Sequence, residues 1–232
     1  MSHPNPAWQF KQRTEAKAKL AVAQAEAPAA GGKANREFDL LLTSIENDLR
    51  RLGTTPKGSA RNKVKREVMM QYLPHLAKYE KDGDNYANPV MVQVMIWAFD
   101  IGEMELALSL ARLGADQKQQ LPERFTRRDI PTFAADATLE WAKGQLQLKL
   151  PIEPHFGDVL ALIETDWQVH DEIKVKFLRL KADSLEATDP AKALAICHQI
   201  LSLDPGAKLK TLIERLEKTV AKQTPPPPAA GA

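Results

Sequence analysis

Residues 88–112 read NPVMVQVMIWAFDIGEMELALSLAR, and this stretch decides the fold class. Pro89 suits the first turn of a helix, because the N–H that proline lacks is one that a helix start leaves unbonded. Residues 90–99 are apolar almost all round, which predicts a helix buried on every side. Residues 100–102 then turn the chain into a second helix over residues 103–113. The stretch therefore predicts two consecutive helices in the core.

Helical patterning continues upstream. From Phe38 to Leu52, apolar residues recur at three- and four-residue spacing and mark one stripe along a helix. A turn rich in Gly and Pro at residues 53–58 interrupts it, and Ser59 is expected to cap a second helix. Pro74 should bend or end that helix. Residues 36–80 are thus predicted to form a helical hairpin.

Downstream, we predict further helices at residues 132–143, 156–165, 169–186, 190–202 and 207–222, the first of them ended by Gly144. No strand-like alternation of period two is present, so the predicted fold class is all-α. Residues 191–205 resemble the second helix of a tetratricopeptide repeat, but no clean array follows. We therefore expect TPR-like C-terminal hairpins within a multi-helix domain rather than a peptide-binding solenoid.

The division that we predict has four parts. Residues 1–35 form a flexible basic arm, residues 36–80 the basic helical hairpin, residues 81–222 a helical oligomerisation and core domain, and residues 223–232 a disordered Pro-rich tail. The chain shows no signal peptide and no apolar run long enough to enter a membrane, for which about 18 residues are needed. The single cysteine, Cys197, is expected to be a core thiol and favours a reducing cytoplasm. Among the tryptophans, Trp97 and Trp141 are expected in the core and Trp167 partly exposed.

Charge is unevenly distributed along the chain. Residues 1–66 carry 13 Lys and Arg against 6 Asp and Glu, whereas the remainder carries 19 against 24. Residues 50–66 contain no acidic side chain, and such a basic segment favours a polyanionic partner. We expect the cations of its second helix to cover a wide exposed arc that reaches DNA phosphates. The predicted DNA-binding residues are Arg50, Arg51, Lys57, Arg61, Lys63, Lys65 and Arg66.

Motifs for catalysis are absent from the sequence. Residues 53–58 have the glycine spacing of a phosphate-binding loop but lack the Lys-[Ser/Thr] that must follow it. None of the five histidines has the spacing of a zinc protease motif. We predict no catalytic residue, no metal ligand and no cofactor.

A family resemblance adds to this interpretation. Residues 88–112 resemble the small terminase subunits of cohesive-end, contractile-tail phages, whose pattern is an apolar helix, then D-x-G-[DE], then an A-L-x-x-A-R helix. The similarity continues into residues 121–136 and spans roughly residues 36–218. It implies binding to the cohesive-end site of double-stranded phage DNA, a ring-like homo-oligomer, and recruitment of a large terminase subunit that carries the ATPase motor. The implied place of action is the host-cell cytoplasm.

Two alternative functions remain at this point. Some members of the family are described as endonucleases, so the chain itself would cut the cohesive-end site. A helical repeat scaffold that binds only protein is the third hypothesis. The endonuclease would nick DNA with Mg²⁺ alone, and the scaffold would tolerate removal of the hairpin cations.

Overall fold

The computed structural model describes residues 32–125 and 128–223, with side chains from Arg36 onward. Within these ranges the chain forms α-helices and one short 3₁₀ turn at Glu123–Phe125, and it contains no strand. The predicted all-α fold class is therefore confirmed. The helices are α1 (Gly32–Thr54), α2 (Ser59–Met69), α3 (Leu73–Asp82), α4 (Pro89–Ile101), α5 (Met104–Asp116), α6 (Ile130–Gln147), α7 (His155–Thr165), α8 (Asp171–Leu185), α9 (Pro190–Leu203) and α10 (Lys210–Gln223).

The chain divides into two compact units. Unit 1 ends at Ala137 and unit 2 begins at Thr138, so the boundary falls inside α6. Most of the predicted basic arm and of the predicted tail, residues 1–31 and 224–232, lies outside the described residues. Among the residues that the structure describes, no helix is both long and apolar enough to cross a bilayer.

Helix α4 forms the centre of unit 1, as residues 88–112 predict. Every residue from Val90 to Phe99 is buried, and α1, α2 and α5 all contact this helix. Its start is fixed by Asn88, whose side chain accepts a hydrogen bond from the Met91 N–H at 3.0 Å. Its end is fixed by Gly102 in the left-handed conformation, with φ 79°. An apolar surface on all sides explains why three helices can pack around α4.

In unit 2, helices α8 and α9 pack as a hairpin and α10 packs against α9. Phe156 of α7 stacks on Phe177 of α8 with ring centroids 5.0 Å apart. Ala182 and Ala193 are fully buried, which allows the helices to approach closely. Cys197 is a buried free thiol, as expected.

Four local expectations were wrong. Trp141 is half-buried rather than part of the core, because its indole packs edge-on against the ring of His155 near the surface. Helix α6 continues through Gly144 to Gln147, because an interior glycine costs only about 1 kcal/mol relative to alanine and Leu139 and Ala142 of the same helix are buried. Ser59 does not cap α2, since Gly58 occupies the capping position with φ 90° and no side-chain bond. Trp167 is buried rather than partly exposed. The chain folds back after α7, and the backbone N–H of Trp167 donates to the Leu162 carbonyl.

An aromatic cluster, formed by Phe38, His75, Tyr79 and Tyr86, joins α1 to α3 and to the loop before α4. Phe38 stacks on His75 with centroids 5.5 Å apart and meets Tyr86 edge-on at 5.1 Å. The Tyr79 hydroxyl donates to the Tyr86 carbonyl at 2.8 Å. The cluster therefore fixes the start of α1 within unit 1.

The His75 ring should make the stability of unit 1 depend on pH. Burial lowers the pKa of His75 below its ordinary value of 6.5, a shift that nearby Glu37 opposes and Lys78 increases. Because the unfolded chain takes up this proton first, we expect the free energy of unfolding to fall as pH drops below about 6.5. Urea unfolding of wild type and His75→Gln at a series of pH values tests this. The variant should show a shallower dependence near pH 6, and an unchanged dependence would contradict the expectation.

Candidate nucleic-acid interface

The basic hairpin consists of the end of α1, the turn at residues 55–58 and helix α2. Its turn is held by Arg61, whose Nε donates to the carbonyl oxygen of Thr55 at 3.1 Å. The Thr54 and Thr55 hydroxyls both donate to the Arg51 carbonyl at 2.9 Å. These bonds satisfy carbonyls that a helix end otherwise leaves without partners. Arg61 is half-buried, so its charge supports the turn.

Lys65 faces inward from α2 toward the end of α4. Its Nζ lies 2.6 Å from Oδ2 of Asp100, and its side chain is only 12% exposed. The long methylene stem of a lysine can lie along apolar surface while its charged end meets an anion. Lys65 thus connects α2 to α4 through an ion pair.

Arg66 meets the turn between α4 and α5. Its Nε lies 3.6 Å from Oε1 of Glu103, and its Nη2 donates to the Ile101 carbonyl at 3.3 Å. Both charged side chains of this ion pair are more than half exposed, so water screens the attraction and the pair adds little to stability. Arg66 is therefore tied to the turn but still reachable from solvent.

The other four predicted cations, Arg50, Arg51, Lys57 and Lys63, are exposed. Arg51 lies 3.6 Å from Glu67, with both side chains more than half exposed. Arg50 donates to the Asn47 side-chain oxygen. We call these four residues the outward cations, because their charges stand in solvent where a phosphate can approach.

The exposed arc that we expected on α2 is narrower in the structure. Val68 and Met69 are buried and show which side of α2 packs inward. Arg61 lies seven residues before Val68, and Lys65 lies four residues before Met69. Both cations therefore share the inward side of α2. Three of the seven cations therefore bind oxygen atoms of the hairpin turn or of the α4–α5 turn. The outward cations are exposed, and two of them contact only the exposed side chains of Asn47 and Glu67.

An acidic residue that the sequence analysis did not select fixes the hairpin from the other side. Asp48 of α1 accepts from the Tyr72 hydroxyl at 2.6 Å and from Nε2 of Gln71 at 2.7 Å. Burial and this carboxylate raise the pKa of Tyr72 far above its ordinary value, so the phenol remains a donor at neutral pH. A signal existed in the sequence, since Asp48 lies three residues after Ile45 and four before Leu52 on the apolar stripe. A carboxylate at such a position requires a partner.

Metal ligands do not gather in the part of the chain that the structure describes. No group of three or more His, Cys, Asp or Glu side chains there is arranged to hold a metal ion. His75 lies in the aromatic cluster, and His155 packs edge-on against Trp141 with ring centroids 5.7 Å apart. Both of these histidine rings therefore pack against aromatic side chains.

Known proteins similar to this chain are phage terminase subunits. A family model described as phage small terminase subunit matches residues 42–172, a segment that contains all seven cations. The "Probable terminase, endonuclease subunit" of Haemophilus phage HP1 (strain HP1c1) is 25% identical over 194 residues, covering 77% of this chain and 69% of that protein. The "Terminase, endonuclease subunit" of Escherichia phage P2 is 24% identical over 194 residues, covering 83% and 78%. No solved structure matches. The family model spans more than half of the sequence, so this chain belongs to the phage small terminase subunit family and has a role in phage DNA packaging.

Proposed function

We propose that this chain is the DNA-recognition subunit of the packaging complex. It binds double-stranded phage DNA at the packaging, cohesive-end site and recruits the large subunit that carries the ATPase and nuclease activities. The observation that carries the proposal is the exposure of Arg50, Arg51, Lys57 and Lys63 on a hairpin that is clamped on both sides. Clamped cations bind phosphates at a lower cost in conformational entropy than mobile ones.

Charge on the rest of the chain supports a different role there. Residues 67–232 carry 24 Asp and Glu against 19 Lys and Arg, a balance that repels nucleic acid. We assign subunit contacts in a ring-like homo-oligomer, and the contact with the large subunit, to this helical remainder. The place of action that follows is the cytoplasm of the host cell.

The test of DNA binding is its dependence on salt. Each phosphate that a cation neutralises releases counterions, so the logarithm of the binding constant should fall by about 0.9 per contact for each tenfold rise in salt. We expect Lys57→Gln/Lys63→Gln to weaken binding to a duplex from the packaging region by one to two orders of magnitude at about 0.1 M salt. Fluorescence anisotropy over a salt series measures both quantities.

A matched control is Lys78→Gln/Lys81→Gln, which removes the same charge from exposed positions on α3 of the same unit. It should leave the salt dependence close to that of wild type. Equal effects of the two double variants would mean that only net charge matters, and the hairpin would then lose its assigned role. Native mass measurement with and without the duplex reports the oligomer in the same samples.

Intrinsic endonuclease activity is the second candidate, because both relatives are named as endonuclease subunits. Our proposal places cleavage in the complete complex. Incubation of the purified chain with Mg²⁺ and a duplex spanning the packaging site, with and without the large subunit, separates the two. Nicking by the chain alone would favour the second candidate.

A further inference from the structure

Two carboxylates at the α4–α5 turn stand against two cations of the basic hairpin. Asp100 lies in the last turn of α4, and Glu103 follows Gly102, where the chain reverses direction with φ 79°. Asp100 pairs with Lys65 at 2.6 Å and Glu103 with Arg66 at 3.6 Å. Neither partnership is local in sequence, since Lys65 and Asp100 are 35 residues apart. The fold therefore brings two further negative charges to one edge of a helix that has four cations and a single acid, Glu67.

Carboxylate and phosphate oxygens are equivalent partners for an ammonium or guanidinium group. A carboxylate of the same chain binds the cation in preference to a DNA phosphate, because it is held beside the cation at a high effective concentration. Lys65 is the stronger case, with a short ion pair and a side chain only 12% exposed. Arg66 is also occupied by the Ile101 carbonyl. A phosphate would have to displace Asp100 to reach Lys65, and it would have to compete with Glu103 and the Ile101 carbonyl for the exposed Arg66.

We propose that Asp100 and Glu103 act as internal substitutes for phosphate, which compete with DNA for Lys65 and Arg66. The inference rests on the proposed function and specifies how the same site is regulated. The duplex then meets only the outward cations, and the two acids form a repulsive border on the α4–α5 side of the hairpin. Binding is then weaker than seven cations would allow.

The experiment compares the full-length chain with two double variants on one duplex from the packaging region over a salt series. Asp100→Asn/Glu103→Gln frees two cations, so we expect binding roughly tenfold or more tighter at about 0.1 M salt and a steeper salt dependence. Lys65→Gln/Asp100→Asn removes both members of the Lys65–Asp100 ion pair and keeps the net charge of wild type. Because Lys65 makes no phosphate contact in the proposal, this variant should match wild type in affinity and in salt dependence.

The outcomes separate this inference from the proposed function. If wild type binds DNA but Asp100→Asn/Glu103→Gln binds no tighter, the acids do not restrain the cations and the inference is wrong. A shallower salt dependence for Lys65→Gln/Asp100→Asn would show that Lys65 already contacts phosphate and would also overturn it. If no protein in the set binds DNA, the proposed function itself fails. Thermal unfolding of each variant identifies loss of fold, and an Asp100→Glu variant, which preserves the charge, should then keep wild-type binding.

Discussion

Trp97→Ala is expected to destabilise unit 1 by about 3–5 kcal/mol, the usual cost of truncating a buried large aromatic side chain. The indole of Trp97 is 2% exposed, and its ring centroid lies 6.3 Å from that of Tyr72. Truncation leaves a cavity at the centre of α4, the helix on which α1, α2 and α5 pack. Since the stability of a whole domain is commonly about 5–15 kcal/mol, such a loss consumes much of it.

The consequence should be confined to the unit that contains Trp97. Hydrogen–deuterium exchange followed by peptide mass analysis reports units 1 and 2 separately, and we expect faster exchange in peptides before Ala137. Trp141→Ala is the matched control, because Trp141 is only half-buried and belongs to unit 2. If the two variants lost equal free energy of unfolding, packing around α4 would not contribute more to stability than packing around a half-buried residue.

Asp48→Ala is expected to cost about 3 kcal/mol, because it removes the charged acceptor of two hydrogen bonds and leaves a buried phenol without a partner. Tyr72 is fully buried, so water cannot replace the lost carboxylate at its hydroxyl. Tyr72→Phe should cost less, since Gln71 still donates to Asp48 in that variant. Urea unfolding of the three proteins measures the differences.

The same substitution should weaken DNA binding without removing a single cation. Asp48 holds the turn that follows α2 against α1. Its loss lets the outward cations sample many positions and raises the entropy cost of binding. The control is Asp39→Ala, an exposed carboxylate on the same helix, for which a stability change within about 0.5 kcal/mol is expected. Should Asp39→Ala and Asp48→Ala weaken binding alike, clamping of the hairpin would not contribute to affinity.

The helical framework of unit 1 was predictable because its signals are local. Asn88 and Pro89 mark the start of α4, Gly102 marks its end, and the apolar run between them has no polar face. Each of these features depends on residues at most a few positions apart. That is why the class of the fold and the limits of α4 follow from residues 88–112 alone.

The orientation of the basic hairpin was not predictable in the same way. Helical spacing shows that Arg61 and Lys65 share a face, but it does not show which face packs on α4. The partner of Lys65 is 35 residues away, and the donors to Asp48 are 23 and 24 residues away. Pairing across such separations is set by tertiary packing. The clustering of cations in the sequence therefore predicts a basic hairpin. It does not show which of the seven cations contact the protein and which face solvent.

The support of the hairpin turn has an evolutionary consequence. Arg61 binds the carbonyl oxygen of Thr55, an atom that all twenty amino acids carry. The side chains of the turn can therefore mutate while this anchor stays intact, although the threonine hydroxyl bonds would be lost. On the proposed role in DNA binding, exchanges of turn side chains such as Lys57 would alter phosphate contacts and leave the helices beneath them unchanged.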